Sequence, residues 1–160
     1  MKPAKYPQDW QTRKELFDRL HRAFRFTIDA FASPENALLP RYWTEKDNAL
    51  SMWWRGERVF ANPPFAEIPA KVPNLARTAD LALVIVSLNN LTRKAFFNNP
   101  PNYLYIPNAR VKFHRPGGKN APKEGSCFLL WSKDKGKPPH LADCNAFRFL
   151  ERPDSGRNDY

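Results

Sequence analysis

An unbroken apolar run, Leu81-Ala82-Leu83-Val84-Ile85-Val86, constrains this chain more than any other stretch. A strand with one wet face alternates apolar and polar residues, whereas a strand apolar on both faces has to be covered on both. The run therefore predicts the centre of a parallel sheet with other elements packed above and below it. Even extended to Leu88 it is far too short to cross a bilayer, whose apolar core is about 30 Å thick.

The surrounding sequence supplies those elements. Thr12-Arg13-Lys14-Glu15 has the pattern of a capping box, and Leu16, Phe17, Leu20, Ala23 and Phe24 then recur at helical spacing, which predicts a helix to about Arg25. Phe26 to Phe31 reads as a short strand and Ser33-Pro34-Glu35-Asn36 as a turn or helix start. A short helix is expected over Asp47 to Trp54, with Leu50 and Trp53 turned inward. Arg58 to Ala61 is a second strand, followed by a proline-interrupted helical stretch from Glu67 to Arg77. Later strands are expected at Tyr103–Ile106, Ala109–Phe113, Ser126–Trp131 and Ala146–Leu150. Helix and strand alternate first and β structure dominates later, an α/β sandwich pattern. With 42% hydrophobic and 14% aromatic residues, 160 residues suffice for one domain with a real core. Its expected extent is 12–150, between an N-terminal arm (1–11) and a C-terminal tail (151–160).

The charge narrows the partners. Lys and Arg number 26 against 16 acids, a formal net charge of +10, which favours a polyanion and nucleic acid first. Arg110, Lys112, Arg115, Lys119 and Lys123, with Lys133, Lys135 and Lys137 beyond, fall in loops and strand edges with few acids nearby. Gly117-Gly118 lets one of those loops follow a phosphate backbone. The plain alternative is a solvated surface. No basic amphipathic helix points to a membrane, and no apolar segment behind Met1-Lys2-Pro3-Ala4-Lys5 suggests a secretory leader. Two cysteines fit the cytoplasm. His140 and Cys144 have a ligand-like spacing that Cys127 can join, but a fourth ligand is missing and no metal is expected. Cys127, within an apolar run, reads as core.

After Val59-Phe60-Ala61 the chain breaks into Asn62-Pro63-Pro64-Phe65. Two prolines remove two backbone donors and fix φ, so the strand ends there in a stiff, extended turn. The Asn oxygen can accept one hydrogen of an exocyclic amino group, an outward carbonyl of the proline pair the other, and Phe65 can stack on the ring of a base. The bland alternative is a loop closing a strand, with Asn in the turn and Phe in the core. Asn62 and Asp29 both fall at the carboxyl ends of strands, where α/β sheets bind ligands.

Taken in order, several segments carry a resemblance. They are Trp10-Gln11-Thr12 with Leu16-Phe17, Phe26 to Ser33, Glu35-Asn36-Ala37, and Tyr42-Trp43-Thr44-Glu45 with Asp47, Leu50 and Trp53 or Trp54. Asn62-Pro63-Pro64-Phe65, Arg110-Val111-Lys112-Phe113, and Ala121-Pro122 leading into Ser126 complete the series. From about Trp10 to Trp131 the chain resembles the phage-encoded DNA adenine-N6 methyltransferases of the Dam type. The resemblance implies a compact Rossmann-like methyltransferase sandwich that uses S-adenosyl-L-methionine as methyl donor. Its substrate would be a short site in double-stranded DNA, inside a host cell.

By the same resemblance Asn62, Pro63, Pro64 and Phe65 are the catalytic motif. Trp10 and Thr12 match a segment that closes over the cofactor. Asp29 and Ala30 begin the cofactor loop, where the acid would hold the methionine ammonium or the ribose, or else cap a helix. Asp47 is a cofactor contact or a plain helix cap. Arg110, Lys112, Arg115, Lys119 and Lys123 would meet DNA. The chain departs from the pattern at Arg13, Phe31, Phe65, Pro69, Pro73 and Ser87-Leu88-Asn89-Asn90. Two other readings share the same residues: methylation of RNA or of a protein glutamine, and a DNA-binding or host-interaction protein that has lost turnover. The oligomeric state is not legible.

Overall fold

The computed structural model describes residues 10–64, 68–115 and 124–149. In chain order these form β1 (Gln11–Thr12), α1 (Lys14–Phe24), β2 (Ile28–Asp29), β3 (Arg58–Ala61), α2 (Ile68–Ala76) and β4 (Leu81–Ser87). They continue with α3 (Lys94–Asn98), β5 (Tyr103–Pro107), β6 (Phe113–His114), β7 (Ser126–Ser132) and β8 (Cys144–Arg148). Six strands make one mixed sheet in the order β2-β3-β4-β7-β5-β8, and β1 pairs with β6 in a separate two-stranded ribbon.

The apolar run is β4, and all seven of its residues are buried. Its side chains alternate between two cores. Leu81, Leu83 and Ile85 meet Phe17, Leu20 and Phe24 of α1, with Phe26, Phe60, Tyr105 and Phe128. Ala82, Val84 and Val86 meet Val72 and Ala76 of α2, Phe96 of α3, and Trp43, Trp54 and Trp131. The expectation of cover on both faces holds, while the all-parallel sheet does not. β2, β3 and β4 are parallel, but β7 is antiparallel to β4 and begins a run of antiparallel pairs through β5 to β8. Burial on both faces constrains what lies above and below a strand and leaves the direction of its neighbours open. The fold is therefore a mixed α/β domain.

α1 lies along β3 and is tied to it at the strand's start. Arg25 ends the helix in the left-handed region at φ 53°, and Arg58 of β3 donates from Nε and Nη2 to the freed carbonyl of Phe24. A guanidinium on helix-terminal carbonyls satisfies groups that have no partner inside the helix.

Several expected elements are shorter or shifted. The capping box is absent: Arg13 occupies the N-cap without a side-chain bond, because Thr12 belongs to β1. The first strand shrinks from Phe26–Phe31 to Ile28–Asp29. Beyond it the backbone pairs with a loop instead, Asp29 N–H donating to Arg41 and Trp43 N–H to Asp29. The helix over Asp47–Trp54 reduces to a 3₁₀ turn at Ala49–Ser51, entered through Asn48 at φ 55°. Trp53 is consequently 72% exposed and Trp54, at 1%, takes the buried place, its Nε1 donating to the Ala49 carbonyl at 2.9 Å. Of Ala109–Phe113 only Phe113 enters a strand, and the last strand lies two residues earlier than expected, with Leu150 outside the described residues. Glu67 also lies outside them.

The two adjacent tryptophans make a direct test of this packing. Trp54→Ala is expected to lose about 3–5 kcal/mol of stability, whereas Trp53→Ala should change it by no more than about 1 kcal/mol. Urea unfolding of both variants measures the difference, and equal losses would contradict the placement.

Candidate active site

β3 runs into Asn62, half-buried, and then Pro63 and Pro64. Neither proline has an N–H for the ladder, so the strand stops and the asparagine stands at its carboxyl end. The parallel pairing of Asp29 with Phe60 brings the end of β2 alongside, with Ala30 N–H donating to the Phe60 carbonyl at 2.9 Å. Asp29 and Asn62 thus close two neighbouring strands at the same end of the sheet.

Both hydrogens of the Asn62 amide are committed. Nδ2 donates to the Trp10 carbonyl at 2.8 Å and to Thr12 Oγ1 at 3.1 Å. The oxygen Oδ1 accepts no hydrogen bond from the described residues, and no buried side-chain oxygen or nitrogen among them lacks a partner. Oδ1 therefore reaches accessible space, with no donor among the described residues.

The acceptors that hold Asn62 lie on β1 and on Trp10 just before it, and β1 also brings in the basic segment. Gln11 faces His114 and Thr12 faces Phe113 across the ribbon. Val111 and Phe113 are buried in the core beneath α1, so the alternate residues Arg110, Lys112 and His114 are turned to the surface. The Arg115 guanidinium sits over the Trp10 ring, 5.3 Å from its centroid, a cation–π arrangement. The ribbon gathers the motif asparagine, two residues expected at the cofactor and three expected at DNA.

Asp29 stands at the end of β2, where the loop over 30–42 begins. Its carboxylate is 3% exposed and accepts from Leu38 N–H at 3.1 Å and from the Phe31 backbone. It anchors the loop over 30–42, and no helix starts there for it to cap. Burial raises its pKa from the ordinary 3.8 to about 6, against the lowering effect of those backbone bonds. Ala30 is core. Asp47 is exposed and accepts from Thr44 N–H at 2.7 Å and Thr44 Oγ1 at 2.8 Å, bonds that hold its carboxyl below the usual range.

The family model described as DNA N-6-adenine-methyltransferase (Dam) matches residues 2–140. The chain belongs to this family. A protein of Escherichia phage T1 described as DNA N-6-adenine-methyltransferase is 30% identical over 59 residues, which cover 36% of this chain and 25% of that protein. The match thus spans about a quarter of the length of that curated relative.

In this Dam-family chain the structure unites Asn62, Trp10, Thr12 and Arg115, and it leaves Asp47 in a self-contained turn with Thr44. Phe65, Lys119 and Lys123 lie outside the described residues. A cavity of about 340 Å³ beside α1, lined by Leu16, Arg19, Phe128, His140 and Cys144 among others, includes none of the residues expected at the catalytic motif, the cofactor or DNA. A polar group at the end of β4 went unread: Ser87, buried, donates to Glu124 and accepts from Asn89 N–H. The break from apolar residues to Ser87-Leu88-Asn89-Asn90 was its only sequence signal. Among the described residues no three His, Cys, Asp or Glu side chains converge as a metal site, and no helix is long and apolar enough to cross a membrane. Cys127 is buried in the core, as its apolar context suggests.

The raised pKa of Asp29 has a measurable sign. Its carboxyl binds a proton more tightly folded, at about 6, than unfolded, near 3.8. Stability from this group is therefore full below about pH 4, falls as pH rises to about 6 and then levels, a change on the order of 3 kcal/mol. Asp29→Asn keeps an acceptor for Leu38 and should flatten this part of the profile, leaving the variant more stable than the parent at pH 7. Unfolding by urea between pH 4 and 7.5 reads this directly.

Proposed function

We propose that this chain methylates the N6 amino group of adenine in double-stranded DNA, with S-adenosyl-L-methionine as donor, on a Rossmann-like methyltransferase sandwich. The observation that carries the reading is the Asn62 amide, whose two hydrogens are held inside the protein while Oδ1 stays open at the carboxyl end of β3. An acceptor in that position, followed by two prolines that keep the next carbonyls out of any ladder, suits an exocyclic amine with two hydrogens to donate.

The amino group cannot present its lone pair while the adenine is stacked and paired, so the base leaves the helix. Asn62 Oδ1 accepts one amino hydrogen and a carbonyl of the Pro63-Pro64 turn accepts the other. These bonds draw the nitrogen toward tetrahedral geometry and direct its lone pair along one line. When bound, S-adenosyl-L-methionine supplies a methyl group on a positively charged sulfur. The chain contributes orientation and local electrostatics, and the reaction is a direct displacement at the methyl carbon. Asn62 and the Pro63-Pro64 turn hold the amine in line with that methyl, and the amino group releases one proton on accepting it. Phe65 stacks on the base in this reading.

Of the residues proposed for the cofactor, Trp10 beside Asn62 and the exposed Asp47 offer surface to a ligand. Asp29 and Ala30 act from beneath, by fixing the loop over 30–42. Arg110, Lys112 and Arg115 flank the same end through the β1–β6 ribbon, where the phosphate backbone would pass, with Lys119 and Lys123 following. Phage or prophage encoding and action in the host cytoplasm belong to the same reading.

Incubation with labelled S-adenosyl-L-methionine and unmodified DNA, followed by nucleoside mass spectrometry, is expected to show N6-methyladenine. Asn62→Ala should lower turnover by about 10²-fold or more. Salt-sensitive DNA binding without cofactor binding would instead identify a DNA-binding protein without turnover. Arg115→Ala is expected to weaken DNA binding across sequences and to reduce the slope of log affinity against log salt by about 1. An unchanged slope would remove Arg115 from the phosphate contacts.

A further inference from the structure

We infer that Thr12 is a positioning residue for Asn62 and not a contact to the cofactor. The inference rests on the reading of Asn62 as the acceptor for the adenine amino group, and it assigns what keeps that acceptor correctly turned.

The two ends of an asparagine amide have nearly the same shape, so packing alone does not distinguish Oδ1 from Nδ2. Only the hydrogen-bond partners do. Here the partners are the Trp10 carbonyl at 2.8 Å, which can only accept, and the Thr12 hydroxyl at 3.1 Å. A flipped amide would set Oδ1 against the Trp10 carbonyl, oxygen to oxygen, and would turn two N–H groups toward the substrate amine, which is itself a donor. The site would then repel the group it has to receive. The Trp10 carbonyl sets the sense of the amide, and the Thr12 hydroxyl engages its second hydrogen, so both donors are satisfied and the rotation is held.

The position of β1 supports this division of roles. Its two residues pair only with β6, outside the main sheet, and the bond from Asn62 crosses to it from the end of β3. Thr12 thus links the acceptor to the ribbon, whose other strand is flanked in sequence by Lys112 and Arg115. Its hydroxyl faces Asn62 at hydrogen-bond distance, and no other bond of that hydroxyl occurs among the described residues.

The test compares Thr12→Val, which keeps the shape and removes the hydroxyl, with Thr12→Ser, which keeps the hydroxyl, alongside Asn62→Ala in the full chain. Thr12→Val is expected to lower kcat about ten-fold, with S-adenosyl-L-methionine affinity by calorimetry, KM for DNA and Tm close to the parent. Thr12→Ser should restore kcat to within about three-fold of the parent. A fall in cofactor affinity in Thr12→Val comparable to its fall in kcat would make Thr12 a cofactor contact and overturn the inference. So would normal turnover in Thr12→Val, or a loss in Thr12→Ser as large as in Thr12→Val, which would mark a packing role. Full turnover in Asn62→Ala removes the acceptor reading itself, whereas an inactive Asn62→Ala beside a fully active Thr12→Val removes only the role of Thr12.

Discussion

The double burial of β4 is the constraint on which the rest of this molecule depends. A strand with apolar side chains on both faces cannot be stable until both are covered, and its backbone groups need neighbours on both edges. α1 supplies one cover, α2 and α3 supply the other, and β3 and β7 take the edges. Each face then carries its own aromatic cluster, with Phe60 packed edge-on against Phe17 on one side and Trp43 against Trp54 on the other. Because β3 is parallel to β4, its carboxyl end points to the same end of the sheet as that of β4, and Asn62 is placed by the same packing that hides the apolar run.

α1 and β3 are joined at both ends, and the two joints differ in purpose. At the start of β3, Arg58 satisfies the last carbonyls of α1, a structural use of charge. At its end, Asn62 bonds to Trp10 and Thr12 on the strand that leads into α1. The second joint costs the protein both amide donors and leaves one unfilled acceptor. Among the described residues Oδ1 has no donor, so this joint uses only one end of the amide.

Much of this was legible without coordinates, and the failures have specific causes. The periodicity of Leu16, Phe17, Leu20, Ala23 and Phe24 located α1, since burying one stripe of a helix needs that spacing whatever it packs against. The capping pattern at Thr12 misled, because a hydroxyl that can cap a helix can equally accept from an asparagine fifty residues away. Trp53 and Trp54 were exchanged for a related reason: a helix and a 3₁₀ turn differ in twist, and one residue of phase decides which indole is buried. Asp29 ends its strand as the sequence indicates, but its partners, the Leu38 and Phe31 amides of the loop above it, depend too much on the loop's path to be read from sequence.

The sequence by itself determined the covered central strand, the stop after Ala61, the basic character and the motif that signals the family. These properties are local: apolar runs, missing proline donors and charge act through neighbouring residues or through composition. Only the tertiary structure decided the mixed direction of the sheet, the turning of Asp29 into its own loop, and the pairing of β1 with β6. That pairing brings Trp10 and Thr12 to Asn62 and sets Arg115 over Trp10. Such juxtapositions depend on which distant donors and acceptors remain unsatisfied once the core has closed, and no window of sequence contains that information.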